Sequence, residues 1–91
     1  MSTTVVEIDE SKLTPIKDLV HQIVACLVDD IEAINIDENN GDRSIVLNIT
    51  VAKTDVGKII GKNGKIISAI RSICENIAAK RNKRINIHVI D

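Results

Sequence analysis

The chain has 91 residues, 44% of them apolar, with no Phe, Trp or Tyr and a formal net charge of −1. That length suits one domain, near the lower end of what folds without a disulfide or a metal. The missing aromatic residues exclude folds that bind through aromatic platforms, such as the stacking sheet of an RRM.

Charge is unevenly spread. Residues 1–42 carry two Lys against ten Asp or Glu, whereas residues 43–91 carry ten Lys or Arg against three acids. A polyanion would be drawn to one part of such a surface and repelled by the other, although both runs could equally be ordinary solvated faces.

Residues 1–12 are polar and acidic around a small Val5-Val6-x-Ile8 cluster, and read as a flexible tail or a short added strand. No secretory leader is expected, because the first ten residues are polar and acidic, and no membrane span, because no apolar run nears the ~18 residues needed to cross a bilayer. A cytoplasmic protein follows as the expectation.

Thr14-Pro15 reads as a helix start, with Thr as N-cap and Pro at the first helical position. Apolar residues at 16, 19, 20, 23, 24, 27 and 28 then mark one face of an amphipathic helix. Ile34 and Ile36 alternate with Asn35 and Asp37 as a short strand, and Asn39-Asn40-Gly41-Asp42 has turn composition. Ile45, Leu47, Ile49 and Val51 alternate as a second strand, so an antiparallel hairpin is expected.

Thr54-Asp55 can cap a short helix carrying Val56, Ile59 and Ile60 and closed by Gly61. A third helix opens after Gly64 and runs through Ile66, Ile67, Ile70, Ile73, Cys74 and Ile77 to the cationic run Lys80–Arg84. In a last strand, Ile85, Ile87 and Val89 share one face and Asn86, His88 and Ile90 the other. A right-handed strand–helix–helix–strand crossover brings its two strands in parallel. The expected fold is therefore α+β, in the order α-β-β-α-α-β, with a three-stranded mixed sheet and three helices on one face.

The segment Ile59-Ile60-Gly61-Lys62-Asn63-Gly64-Lys65-Ile66-Ile67 sets two glycines at the meeting point of two helices. Glycine there removes the Cβ atoms that would block a sugar-phosphate chain. The helix N-terminus after Gly64 offers amides to a phosphate. Lys62 and Lys65, with Lys58 one turn back, would add mobile cations, and Ile60 and Ile67 an aliphatic floor for bases. Arg71, two turns along, could reach a phosphate or lie solvated. A plain connector between helices explains the turn but not the lysines beside it. A Walker A loop fails on spacing, since Gly57-x-x-x-Gly61-Lys62 is one residue short and Asn63 follows. A dinucleotide fingerprint fails too, with glycines at 57, 61 and 64.

Residues Val56-Gly57-Lys58-Ile59-Ile60-Gly61-Lys62-Asn63-Gly64-Lys65-Ile66-Ile67-x-Ala69-Ile70-Arg71 resemble the core of the small bacterial KH proteins of the KhpA (YlqC-like) family. The resemblance extends over residues 13–90, and the element order matches a type II KH domain, giving a tail at 1–12 and a KH domain at 13–91. It implies clamping of about four nucleotides of single-stranded RNA at the GxxG loop. The candidate RNA-binding residues are Gly57, Lys58, Ile60, Gly61, Lys62, Asn63, Gly64, Lys65, Ile67 and Arg71. It further implies an RNA chaperone or post-transcriptional regulator, self-association, and partnership with a larger KH protein of the KhpB (Jag) type. Homodimer and heterodimer both stay open. So does a different reading, a dimerisation scaffold with incidental nucleic-acid binding.

Cys26 and Cys74, each within an apolar helical stripe, read as buried free thiols. Neither has clustered His or Cys partners, so no metal or cofactor is expected. His21 and His88 lack a nucleophile or carboxylate at a recognisable spacing, and Ser68 lacks a base, so no enzyme and no small-molecule substrate is expected.

Overall fold

The computed structural model describes residues 13–90. The reading of residues 1–12 as a tail or added strand lies outside them, as does Asp91. Helix α1 spans Ile16–Leu27, strand β1 Asn35–Asn40, strand β2 Ser44–Thr50, helix α2 Val56–Ile60, helix α3 Lys65–Lys80 and strand β3 Arg84–Ile90. Single 3-10 turns at Ile31–Ala33, Lys53–Asp55 and Lys62–Gly64 join some of them.

β1 pairs antiparallel with β2 in the register Ile36↔Ile49, and β2 pairs parallel with β3 in the register Leu47↔Ile87. β2 is thus central, which suits its apolar alternation, and β3 is an edge. Ile36, Ile45, Leu47, Ile49, Ile85 and Ile87 point to the same buried side. They share one core with Ile16, Val20 and Val24 of α1, Ile59 of α2, and Ile67, Ile70, Cys74 and Ala78 of α3. The expected α+β fold with three helices over a mixed three-stranded sheet is the one observed.

Several local expectations need correcting. Pro15 is the N-cap, with extended backbone, and no side chain caps α1. The Pro15 carbonyl accepts the amides of Asp18 and Leu19, so the helix begins one residue later than the Thr-Pro pair suggests. A residue before proline is pushed out of the helical region, which leaves Thr14 beyond capping reach. Ile34 closes a 3-10 turn instead of opening β1. Asn39 and Asn40 pair in the ladder, and the hairpin turns through Gly41 donating to Ser44 at 2.8 Å.

The two cysteines part company. Cys74 is buried, and loss of solvation pushes its thiol up, whereas Cys26 is exposed. The buried stripe of α1 steps through 16, 20 and 24, and two residues beyond Val24 is about 200° round the helix. On α3, Ile73 is 49% exposed, off the line of Ile67, Ile70 and Cys74.

Candidate nucleic-acid interface

Helix α2 has five residues, too few to hold together on intrinsic propensity. Ile59 fixes its inner face in the core. Its amino end is fixed by Asp55, the single buried charged residue among those described, at 0% exposure. The Asp55 carboxylate accepts from Lys58 Nζ at 2.9 Å and from the Asp30 amide at 3.0 Å. Lys58 Nζ also pairs with Asp29, so one cation joins α2 to the turn after α1. The Lys58 hydrogen bond, more than the Asp30 amide, holds the Asp55 carboxyl below its ordinary range despite the opposing cost of burial. Asp29 and then Asp55 push Lys58 above its own.

This corrects two expectations. Asp55 makes no side-chain cap on α2, because its oxygens are turned to Lys58 and Asp30. Lys58 is a structural bridge and not a mobile cation beside the loop.

The α2–α3 junction relies on left-handed backbone. Gly61 has φ 76 and ψ 173, a region essentially reserved for glycine. A Cβ on Gly61 would also meet Ile66 Cγ1 at 2.6 Å, so the side chain of Ile66 packs where a larger residue would be. Asn63 follows at φ 58, a conformation its short polar side chain tolerates, and Gly64 at φ 73. A Cβ at Gly64 would meet nothing within 4 Å. One glycine is thus demanded by packing within the protein, while the other leaves open space above the backbone.

The helix terminus is less available than the sequence implies. The Gly64 amide donates to the Gly61 carbonyl at 3.1 Å and the Lys65 amide to Lys62, so two of the amides expected for a phosphate are used by the turn itself. What the junction presents outward is the exposed trio Lys62, Asn63 and Lys65. Among the described residues the ion pairs within 4 Å all belong to Lys58, so Lys62 and Lys65 face no carboxylate.

The remaining candidates divide. Gly57 is exposed with open space around it, and Ile60 is half-buried beside the loop. Ile67 lies in the core, too deep to serve as an open floor. Arg71 sends Nε and Nη2 to the Ile87 carbonyl at 3.2 and 3.0 Å, a latch between α3 and the edge strand β3. The guanidinium retains further N–H groups beyond that latch. It borders a shallow depression of ≈ 180 Å³ shared with Glu75, Asn86 and His88.

Of the acids that fix this site, the sequence marks Asp55 only as a cap, and Asp29 and Asp30 not at all. Asp55 and Lys58 stand at i, i+3, which is a visible pairing signal on a helix. Asp29 lies 29 residues from Lys58, and nothing local links them.

A family model described as "KhpA/KhpB, KH domain" matches residues 17–89. RNA-binding protein KhpA of Chlamydia caviae is 39% identical over 75 residues, covering 82% of this chain and 96% of the relative. The protein of that name from Clostridium acetobutylicum is 40% identical over 74 residues, covering 81% and 99%. The one from Borreliella burgdorferi is 38% identical over 74 residues, covering 81% and 90%. Among solved structures, Era in complex with MgGDPNP and nucleotides 1506–1542 of 16S ribosomal RNA superposes with a TM-score of 0.50 at 17% identity. That match covers 96% of this chain and 35% of the other, so the chain spans about a third of that protein, and the likeness is one of fold alone.

Proposed function

The chain belongs to the KhpA/KhpB KH-domain family, and from that premise we propose that it binds single-stranded RNA at the Gly61–Gly64 loop. The observation that carries this reading is an exposed, Cβ-poor junction flanked by two cations, Lys62 and Lys65, that among the described residues have no carboxylate within 4 Å. A sugar-phosphate chain can approach Gly64 and Gly57 closely, and the ammonium groups of Lys62 and Lys65 meet its phosphates. Asn63 offers an amide to sugar or phosphate, and Ile60 an aliphatic surface to a base. Arg71 serves the same groove from the β3 side through the donors left over from its latch.

About four nucleotides fit such a clamp, in keeping with the related KH architecture. With three or four phosphate contacts, affinity falls with a log–log salt slope of about −2 to −3. A single groove of this kind is weak, and pairing two of them on one RNA raises avidity. Self-association, or pairing with a larger KhpB (Jag)-type protein, fits a cytoplasmic RNA chaperone or post-transcriptional regulator. The reading involves no catalytic step.

A dimerisation scaffold is the second reading, favoured by exposed Ile73 and by an apolar groove of ≈ 490 Å³ between α1 and α3 lined by Leu13, Ile16, Leu19 and Ile77. Anisotropy of a labelled single-stranded RNA separates the two. The Lys62→Asp/Asn63→Asp variant loses salt-sensitive binding while keeping its circular dichroism spectrum. Equal binding by variant and wild type would move the function to the apolar surface.

A further inference from the structure

The far end of α3 carries a second cationic surface that the loop does not explain. Arg81, Asn82 and Lys83 form a tight helix end: the Lys83 amide returns to the Ala78 carbonyl at 2.9 Å and the Asn82 amide to Ala79 at 3.1 Å. Asn82 sits at φ 57, the left-handed residue such an end requires. The chain therefore doubles back, and the Arg84 amide donates to the Arg43 carbonyl at 2.8 Å. Residues from two distant segments are thereby set side by side, with Ser44 opposite Arg84 at the start of the parallel ladder.

The result is an open groove of ≈ 560 Å³ lined by Arg43, Ser44, Ala79, Asn82, Lys83 and Arg84. Lys83 is steadied by Asn40 Oδ1 at 3.0 Å, a neutral partner. Glu38 and Asp42 belong to the same hairpin, yet among the described residues no carboxylate lies within 4 Å of any of the three cations. At the end of α3 the Ala78 and Ala79 carbonyls accept the returning amides of Arg81, Asn82 and Lys83. Along α3, 16 residues at about 1.5 Å each put this groove about 24 Å from the Gly61–Gly64 loop.

We propose that Arg43, Lys83 and Arg84 form a second phosphate-binding surface that engages the same RNA strand beyond the nucleotides held at the loop. This rests on the RNA-binding reading of the loop and extends it. Arginine suits the role because its planar fork matches phosphate oxygens. The backbone-to-backbone bond between Arg43 and Arg84 survives side-chain replacement, so the surface can be discharged without dismantling the turn.

The test is fluorescence anisotropy of labelled oligouridine strands of about 4 and about 16 nucleotides, with wild type and Arg43→Gln/Lys83→Gln/Arg84→Gln at two salt concentrations. The triple variant binds the short strand as wild type does. It binds the long strand roughly tenfold more weakly, with a salt slope shallower by about 2. Unchanged binding of the long strand by the variant overturns the second surface while leaving the loop intact. Equal loss on both strands also overturns it, since only the overall field would then have changed. Absence of wild-type binding to the short strand instead strikes at the loop, and the long strand still reads the second surface. A labelled poly-glutamate peptide, held more tightly than the long strand by wild type and released by the variant, would reassign the surface to an acidic protein.

Discussion

The two ends of α3 are both cationic and both turn on left-handed residues, but they are built for different tasks. At the amino end, Asn63 and Gly64 precede the helix and Gly61 takes a backbone shape that other residues resist. At the carboxyl end, Asn82 reverses the chain so that cations from β3 and the hairpin come together. The first end invests in close backbone approach, with few charges. The second invests in charge density, with backbone groups already paired. Position in the chain also hides a difference among the lysines: Lys58 is taken up by Asp55 and Asp29, whereas Lys62 and Lys65, four and seven residues on, have no carboxylate within 4 Å among the described residues.

The contrast breaks most sharply at Gly61. Gly61→Ala forces a disfavoured backbone and drives a Cβ into Ile66, together costing about 2–5 kcal/mol in urea unfolding. Gly64→Ala has open space and carries only the left-handed penalty, about 1–2 kcal/mol. If the two substitutions cost the same, Gly61 is not a packing requirement. A stable Gly64→Ala protein that has nevertheless lost RNA affinity would show that the space above Gly64 is used by the ligand.

Asp55 and Asp29 sharpen the account of Lys58. Replacing Asp55 with Ala strands the Asp30 amide and leaves Lys58 with Asp29 alone, so it lowers Tm more than Asp29→Ala, whose carboxylate is largely exposed. Because the folded-state value of Asp55 is depressed, its contribution is present above the ordinary carboxylate range and is lost as pH falls through the folded value. Lys58 is raised, so its contribution holds below the ordinary lysine value and is lost as pH climbs through the higher folded one. Thermal melts across pH therefore show an acid limb that Asp55→Ala flattens.

The smallest effect is expected at the other end of α3. Asn82→Gly relieves a left-handed asparagine and changes stability by a few tenths of a kcal/mol, read as a slight rise in Tm. Asn82→Ala moves it the opposite way, by about 1 kcal/mol.

Period and punctuation made the element order and the central strand legible. Ile45, Leu47 and Ile49 alternate, α1 repeats at helical spacing, and glycines at 61 and 64 interrupt a helical pattern, each a local consequence of side-chain direction or backbone freedom. Helix starts were less legible, because Thr14-Pro15 fits two adjacent boundaries that differ by one hydrogen bond. The same local signals pointed to the Gly61–Gly64 loop, and the composition ruled out an aromatic platform.

Contacts between distant segments were set by tertiary structure alone. Folding decided that Lys58 is bridged, that Arg71 latches onto Ile87, that Ile67 is core and Cys26 surface, and that Arg43 meets Arg84. The physical reason is common to all of them. Sequence periodicity reports which face a residue occupies on its own element, whereas a charge or a donor finds its partner only after the elements have packed.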